Sequence, residues 1–396
     1  MFGLFTTIAL VCSGLATAHK PVYGEEEPGL IDKWGTDWGF SGISTFAHLP
    51  HVKCLTHPET VFDIAILGAP FDTAVSYRPG ARFGPKAIRA ASGRQTSFRG
   101  FNARAGLNPY RSWATMMDCG DIPITPFDNV LALRQMSEAF EEMTLRKPAV
   151  DPAFASPYQQ KSKILTLGGD HSIALPALRA LTKTYGQPVA VVHFDAHLDT
   201  WDPIKYPSSW IDATDETTQS FFNHGSMFWM AAKEGLIANA SSVHAGLRTR
   251  LSGDDYMDYE EDTAQGWVQI STDDVDEIGV KGIIDKIMNR VGTEMPVYLS
   301  IDIDVIDPGL APGTGTPEPG GWTTRELIRI LRGIEGLNVV GADIVEVSPG
   351  YDGSDESTAL AAAQVGFEVL TSMVRRGLID QAKVRKSSSV VTKDEL

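Results

Sequence analysis

The sequence predicts an α/β fold of three layers, α/β/α, around an eight-stranded parallel sheet. Strand-like apolar runs alternate with helix-like stretches through most of the chain, an order that sets the strands parallel and puts helices on both faces of the sheet. One run, Val191, Val192 and Phe194, has the apolar character of a fully buried strand. The 396 residues, 43% of them hydrophobic, supply a core large enough for all eight strand candidates to share one domain.

Residues 19–60 form a polar segment containing Trp and Gly, expected to wrap the surface, and the main domain spans 61–380. Its strand candidates are DIAILGAPF, TMMDCGDIPI, KILTLGGD, VAVVHFDA, SVHAGLR, WVQIS, VYLSIDIDV and VVGADIVEV. Helices are predicted over 85–94, where Pro85 suits a first turn, and over 130–146, 173–185, 227–236, 276–290, 324–334 and 358–378. The segments DPAFASPYQQKS and WDPIKYPSSWIDATDETTQSFFNHG carry loop composition, and the second has the length of a functional or mobile loop. Residues 381–396 form a polar tail, and no internal repeat is present.

The formal net charge of −16 excludes a nucleic-acid binder, which needs clustered Lys and Arg, and suits a cationic partner. Residues 1–18 are uncharged and end in Ala16-Thr17-Ala18, the pattern of a secretory signal peptide cut before His19. That stretch is short for a membrane span and no later one is long enough, so no stable membrane insertion is expected. The chain closes on Lys393-Asp394-Glu395-Leu396, a KDEL retrieval signal. Together the two ends predict the ER lumen, with secretion as the alternative. Cys54 and Cys119 then remain, free to pair or to stay as core thiols, and Asn239-Ala240-Ser241 is a glycosylation acceptor pattern.

Ligands of open parallel sheets sit at the carboxyl ends of the strands, and the chemistry of this chain collects there. GGDHS brings His171 after the third strand, and HFDAHLD brings Asp195, His197 and Asp199 after the fourth. SIDIDVIDP brings Asp302 and Asp304 after the seventh, and ADIVEVSP brings Glu346 after the eighth. Spacings of two on extended backbone point side chains to one side. Four carboxylates and two imidazoles in one place need counter-charge, and two divalent cations supply it. An oxygen-rich set with nitrogen and no thiolate suits Mn²⁺ better than structural Zn²⁺, and such a pair lowers the pKa of water. Asp170 is expected to cap a turn, Asp307 before Pro308 to fix one, and His193 to pack behind the ligands.

GGDHS, DAHLD and SIDIDVIDP resemble the three signatures of the ureohydrolase family, the arginases and agmatinases, over roughly residues 60–380. The resemblance implies a three-layer α/β/α domain, two Mn²⁺ ions per subunit, and hydrolysis of a small cationic guanidino substrate to urea and an amine. It implies a homo-oligomer, trimer or hexamer. It assigns His171, Asp195, Asp199 and Asp304 to one ion, and Asp195, His197, Asp302 and Asp304 to the other, with Asp195 and Asp304 bridging. His224 of NHGSMF falls where the family lines its cleft with a proton-carrying histidine, and Glu346 where it grips the guanidinium. Asp199, His224 and Glu346 are thus the candidate catalytic residues. GAPFDTAVSYRPGARFGPKAIR is similar to the agmatinase branch, in which Gly80 and Gly84 also have a turn-shaping role. The branch implies agmatine, cleaved to putrescine and urea, as the expected substrate, with 4-guanidinobutyrate, cleaved to 4-aminobutyrate and urea, as the alternative. A related deacetylase with one Zn²⁺ and a non-catalytic metal-binding lumenal protein are the competing classes.

Overall fold

The computed structural model describes residues 29–153, 155–206 and 219–394, with side chains as far as 384. The signal-like segment 1–18, residues 207–218 of the long loop, and Glu395 and Leu396 of the terminal tetrapeptide lie outside the described residues. The described part of the unit ending at Asp37 holds a short helix, Leu30–Trp34; the features below belong to the unit Trp38–Leu396.

Eight parallel strands form one sheet: β1 Ile64–Ala69, β2 Met116–Asp121, β3 Lys163–Gly168, β4 Ala190–Phe194, β5 Ser242–Leu247, β6 Trp267–Ser271, β7 Pro296–Asp302 and β8 Asn338–Val345. Their order is β2-β1-β3-β8-β7-β4-β5-β6. Each lies within a predicted run except β7 and β8, which start one residue before theirs, because a strand covered on both faces is apolar with little alternation. The main helices are α1 Gly84–Ser92, α2 Asn129–Thr144, α3 Ala174–Tyr185, α4 Met227–Lys233, α5 Met257–Ala264, α6 Gly279–Val291, α7 Thr324–Gly333 and α8 Ser357–Asp394.

Two apolar cores flank the sheet. Helices α1, α6, α7 and α8 pack one through Ile88, Ile287, Ile330 and Val369; α2, α3 and α4 pack the other through Phe140, Leu178 and Phe228. The chain therefore leaves β3 and β4 over one face and β7 and β8 over the other. Along the row β3-β8-β7-β4 the departing loops diverge, opening a crevice above the carboxyl ends of the four central strands.

Three elements differ from expectation. The predicted helix 276–290 is a single turn, Asp274–Glu277, followed by α6, because Gly279 stands at φ +70° between them. The helix α5 has no predicted counterpart: it is short and acidic, and only Asp262 of it is buried, so it carries no apolar stripe. The final helix continues through the predicted polar tail to Asp394, since no Gly or Pro follows Gly377. Its stretch Ser357–Val384 is long and apolar enough to span a membrane, contrary to the sequence expectation, but most of it is buried in the domain core. Asn239 is exposed in the turn before β5.

Cys54 and Cys119 are disulfide-bonded, resolving the alternative left open above, and both are buried. The bond ties the segment before β1 to the edge strand β2 across 65 residues. Replacing both cysteines by Ala is expected to lower unfolding free energy by about 2–4 kcal/mol through the freed denatured chain. Denaturant titration of the two proteins checks this; a difference under about 0.5 kcal/mol contradicts it.

Candidate metal centre and active site

Local backbone chemistry aims the site residues. After β3 the chain crosses the end of β1 so closely that a Cβ on Gly169 would lie 2.4 Å from the carbonyls of Ala69 and Phe71. Gly84 is equally confined, 2.6 Å from Gly168 O and 2.7 Å from Val347 O, which locks the start of α1 to the ends of β3 and β8. Gly80, at φ +139°, turns the chain just before, and Asp72 accepts its N–H at 2.7 Å. Asp170 caps the turn that presents His171, accepting the Ser172 N–H at 3.1 Å. Asp302 likewise accepts the Asp304 N–H at 2.8 Å, turning the two carboxylates together. Asp307 accepts the amides of Gly309, Gly320 and Gly321 and fixes its loop. Asp199 and Glu346 hold left-handed backbone, φ +57° and +61°. Such positions cost roughly 1–3 kcal/mol in non-glycine residues and persist where surroundings impose them.

His171 Nδ1 lies 3.1 Å from Asp195 Oδ2, 3.1 Å from Asp199 Oδ2 and 3.3 Å from Asp302 Oδ2. Its other nitrogen, Nε2, stands 2.7 Å from Ser300 Oγ, which donates its own proton to Asp343 Oδ1 at 2.8 Å. Ser300 must then accept from Nε2–H, so the lone pair of the neutral ring is on Nδ1, pointing at three carboxylate oxygens. That Nδ1 is buried with no hydrogen-bond partner among the described residues. A buried nitrogen lone pair ringed by three carboxylates is a cation site.

A second pocket of the same kind adjoins it. His197 Nδ1 is 3.1 Å from Asp195 Oδ1 and 3.0 Å from Asp304 Oδ2. Asp195 thus turns one oxygen to each imidazole and spans the two positions. The structure corrects the expected partition: Asp302, not Asp304, stands beside His171. The Oδ1 of Asp304 is taken by the Ala196 N–H at 3.1 Å, and its Oδ2 faces His197, so it serves that position alone. His193 also approaches Asp195 Oδ2, at 2.9 Å, but its Nδ1 contacts His244 Nδ1 at 2.7 Å. With both nitrogens engaged and burial pushing its pKa down to about 3, His193 supports Asp195 from behind.

Without a cation the cluster settles its charge with protons. Burial and then the neighbouring carboxylates raise Asp302 well above the usual range and Asp304 to about 6. Burial and then Asp195 raise Asp199. Burial opposes charge on His171 and His197, yet the surrounding carboxylates outweigh it and raise both well above an ordinary histidine. Two divalent ions would supply the charge these protons supply.

A cleft of about 690 Å³ opens over the site, with His197, Asp199, Asp302 and His224 on its lining. Trp201, Tyr206 and Phe222 add aromatic walls. His224 accepts the Ser76 N–H on Nε2 at 2.9 Å and faces Glu346 Oε1 through Nδ1 at 3.1 Å. Glu346 Oε1 also accepts the His171 N–H at 2.9 Å, and its Oε2 is buried without a partner among the described residues. Glu346 adjoins His224, which is on the cleft lining.

The arginase family model matches residues 62–371. The chain belongs to the arginase family. It is 44% identical to "Putative agmatinase 1" of Schizosaccharomyces pombe over 96% of this chain and 97% of that protein. It is 39% identical to the agmatinase of Chromobacterium violaceum over 90% of this chain and 97% of that one. The structure of proclavaminate amidinohydrolase from Streptomyces clavuligerus aligns with a TM-score of 0.71 and 36% identity, covering 86% of this chain and all of the other.

In this arginase-family chain, all six predicted ligand residues converge at the sheet rim, with His224 and Glu346 beside them. Sequence reasoning missed Ser300 and Asp343, which fix the His171 ring, and His244 behind His193. Ser300 sits in SIDID and Asp343 in ADIVE, but only pairing of β7 with β8 makes them neighbours. A cation entering this site must displace protons from Asp304 below about pH 6, and from His171 and His197 at higher pH. Affinity for divalent ions is therefore expected to rise with pH through 6 and above, with net proton release. Calorimetry in two buffers of different ionisation enthalpy reads this at pH 6.5; heats independent of buffer contradict it.

Proposed function

We propose that this protein is a binuclear manganese amidinohydrolase that converts agmatine and water to putrescine and urea. The observation that carries the choice of substrate is the cleft: no Lys or Arg among the described residues lines it to receive a distal carboxylate. Tyr206, on its lining, stands in the field of nearby carboxylates. Burial first, then Asp199, Asp202 and Asp258, raise the Tyr206 hydroxyl above its usual range. A substrate with a cation at each end matches such a cleft; the distal carboxylate of 4-guanidinobutyrate meets repulsion. The near full-length likeness to proteins named agmatinase supports the same reading.

His171, Asp195, Asp199 and Asp302 would hold one ion, and Asp195, His197 and Asp304 the other. When bound, the pair supplies Lewis acidity and lowers the pKa of water at the site. The unpaired Oε2 of Glu346 is the acceptor for a guanidinium N–H, a planar donor that suits a carboxylate. Asp199, on the cleft wall, takes the proton of the attacking water and returns it to the departing amine, which leaves poorly unless protonated. His224 donates through Nδ1 to Glu346, orienting it, and on release from Ser76 its Nε2 can exchange a proton with the cleft.

We also propose a lumenal location in the secretory pathway. The buried disulfide between Cys54 and Cys119 supports an oxidising compartment, as do the signal-like start and the KDEL ending.

Urea release from agmatine, 4-guanidinobutyrate and arginine with added Mn²⁺ tests the substrate. The expected kcat/KM is highest for agmatine by at least roughly tenfold, about 1.4 kcal/mol of transition-state discrimination; faster turnover of 4-guanidinobutyrate overturns it. Asp199→Asn and Asp304→Asn are each expected to lose bound metal and turnover together, and full turnover by a metal-free variant contradicts the mechanism. Glu346→Gln is expected to keep its metal and lose about 100-fold in kcat/KM.

A further inference from the structure

Behind the metal centre, one buried carboxylate connects to both ends of the ligand segment Asp195–Asp199. Asp262, on α5, is fully buried. Its Oδ1 lies 3.0 Å from His244 Nε2 and accepts the Thr200 hydroxyl at 2.7 Å, while its Oδ2 accepts from Gln269 at 2.7 Å. His244 passes the connection to His193 at 2.7 Å, and His193 passes it to Asp195 Oδ2 at 2.9 Å. Thr200 follows Asp199 directly, where the backbone stands at φ +57°. Gln265, just past α5, donates to the Thr200 carbonyl at 3.1 Å. Trp267 stacks on His244 at 3.9 Å between centroids and keeps that ring in plane.

We propose that Asp262 is a positioning residue for the metal centre, setting Asp195 through the row His244–His193 and Asp199 through Thr200. The inference rests on the two-ion reading of the site. A burial role alone does not explain the arrangement. Burial opposes ionisation of Asp262, and His244, Gln269 and Thr200 outweigh it; two of those three partners lead to the ligand segment. The ion beside His171 depends on both Asp195 and Asp199, so it feels both branches. The ion beside His197 feels only the branch through Asp195. Loss of Asp262 therefore acts unequally on the two positions, which general loosening of α5 does not do.

The test uses the full chain, stripped of metal and titrated with Mn²⁺, with the free aquo ion followed by electron paramagnetic resonance. Wild type is expected to take two ions with the signal of a close coupled pair. Asp262→Asn is expected to take one ion with near-normal affinity and the second about 10- to 100-fold more weakly, with the coupled signal restored at high Mn²⁺. Thr200→Val, which removes one hydroxyl and spares the fold, should weaken the second ion by a smaller factor. Glu260→Gly loosens the same helix from its exposed side, and should lower the melting temperature of the apoprotein while leaving both ions in place. Two-ion binding by Asp262→Asn and Thr200→Val at wild-type affinity overturns the proposal, as does equal weakening by Glu260→Gly. Failure of wild type itself to bind two ions sinks the underlying metal reading instead.

Discussion

Asp195 is the residue on which the site turns, because its carboxylate faces two imidazoles at once, one oxygen to each. Around it stand three further aspartates, all buried. Two unit charges 4 Å apart repel by about 4 kcal/mol at an effective dielectric near 20, so such a group is intolerable without positive partners. Among the described residues no Lys or Arg pairs with these carboxylates, and of this cluster Arg248 donates only to the Asp304 backbone carbonyl. The fold supplies instead two imidazole nitrogens and a geometry that leaves room for cations, and the rest of the architecture serves to keep that geometry.

The sheet order makes the cluster from distant segments. β3, β8, β7 and β4 are side by side although their sequence positions span much of the chain. Glycines at 84 and 169 let the loops above them approach backbone to backbone, and residues with left-handed φ at 199 and 346 turn side chains back over the strand ends. The strain is held by hydrogen bonds: the Gly169 carbonyl accepts the Glu346 N–H at 2.9 Å, and the Asp199 carbonyl accepts from Phe228 at 3.2 Å. Rigidity at the rim and a wide cleft above it are what a reaction on a long flexible cation requires.

Much of this was legible in the sequence because it is local. Central strands covered on both faces leave near-continuous apolar runs, while the edge strands β2 and β6, partly exposed, were marked by their place in the strand–helix alternation. Ligands on alternate residues after a strand, as in DAHLD, declare their shared direction. Where partners come from different strands the sequence is silent. Asp302 and Asp304 have the same spacing and chemistry, and only the Ala196 amide, taken by Asp304, decides which of them stands with His171. Helix α5 escaped notice because its one buried residue is an aspartate, so no apolar period marks it, yet it carries Asp262 to His244 and Thr200. Cys54 and Cys119 could not be paired before the segment preceding β1 was seen against β2.

Anomalous diffraction from a crystal of the protein grown with Mn²⁺, collected at the manganese edge, measures the central claim most directly. The account predicts two peaks a few ångströms apart, one beside His171 Nδ1 and one beside His197 Nδ1, with an Asp195 oxygen on each. One peak alone, or two that do not share Asp195, contradicts it.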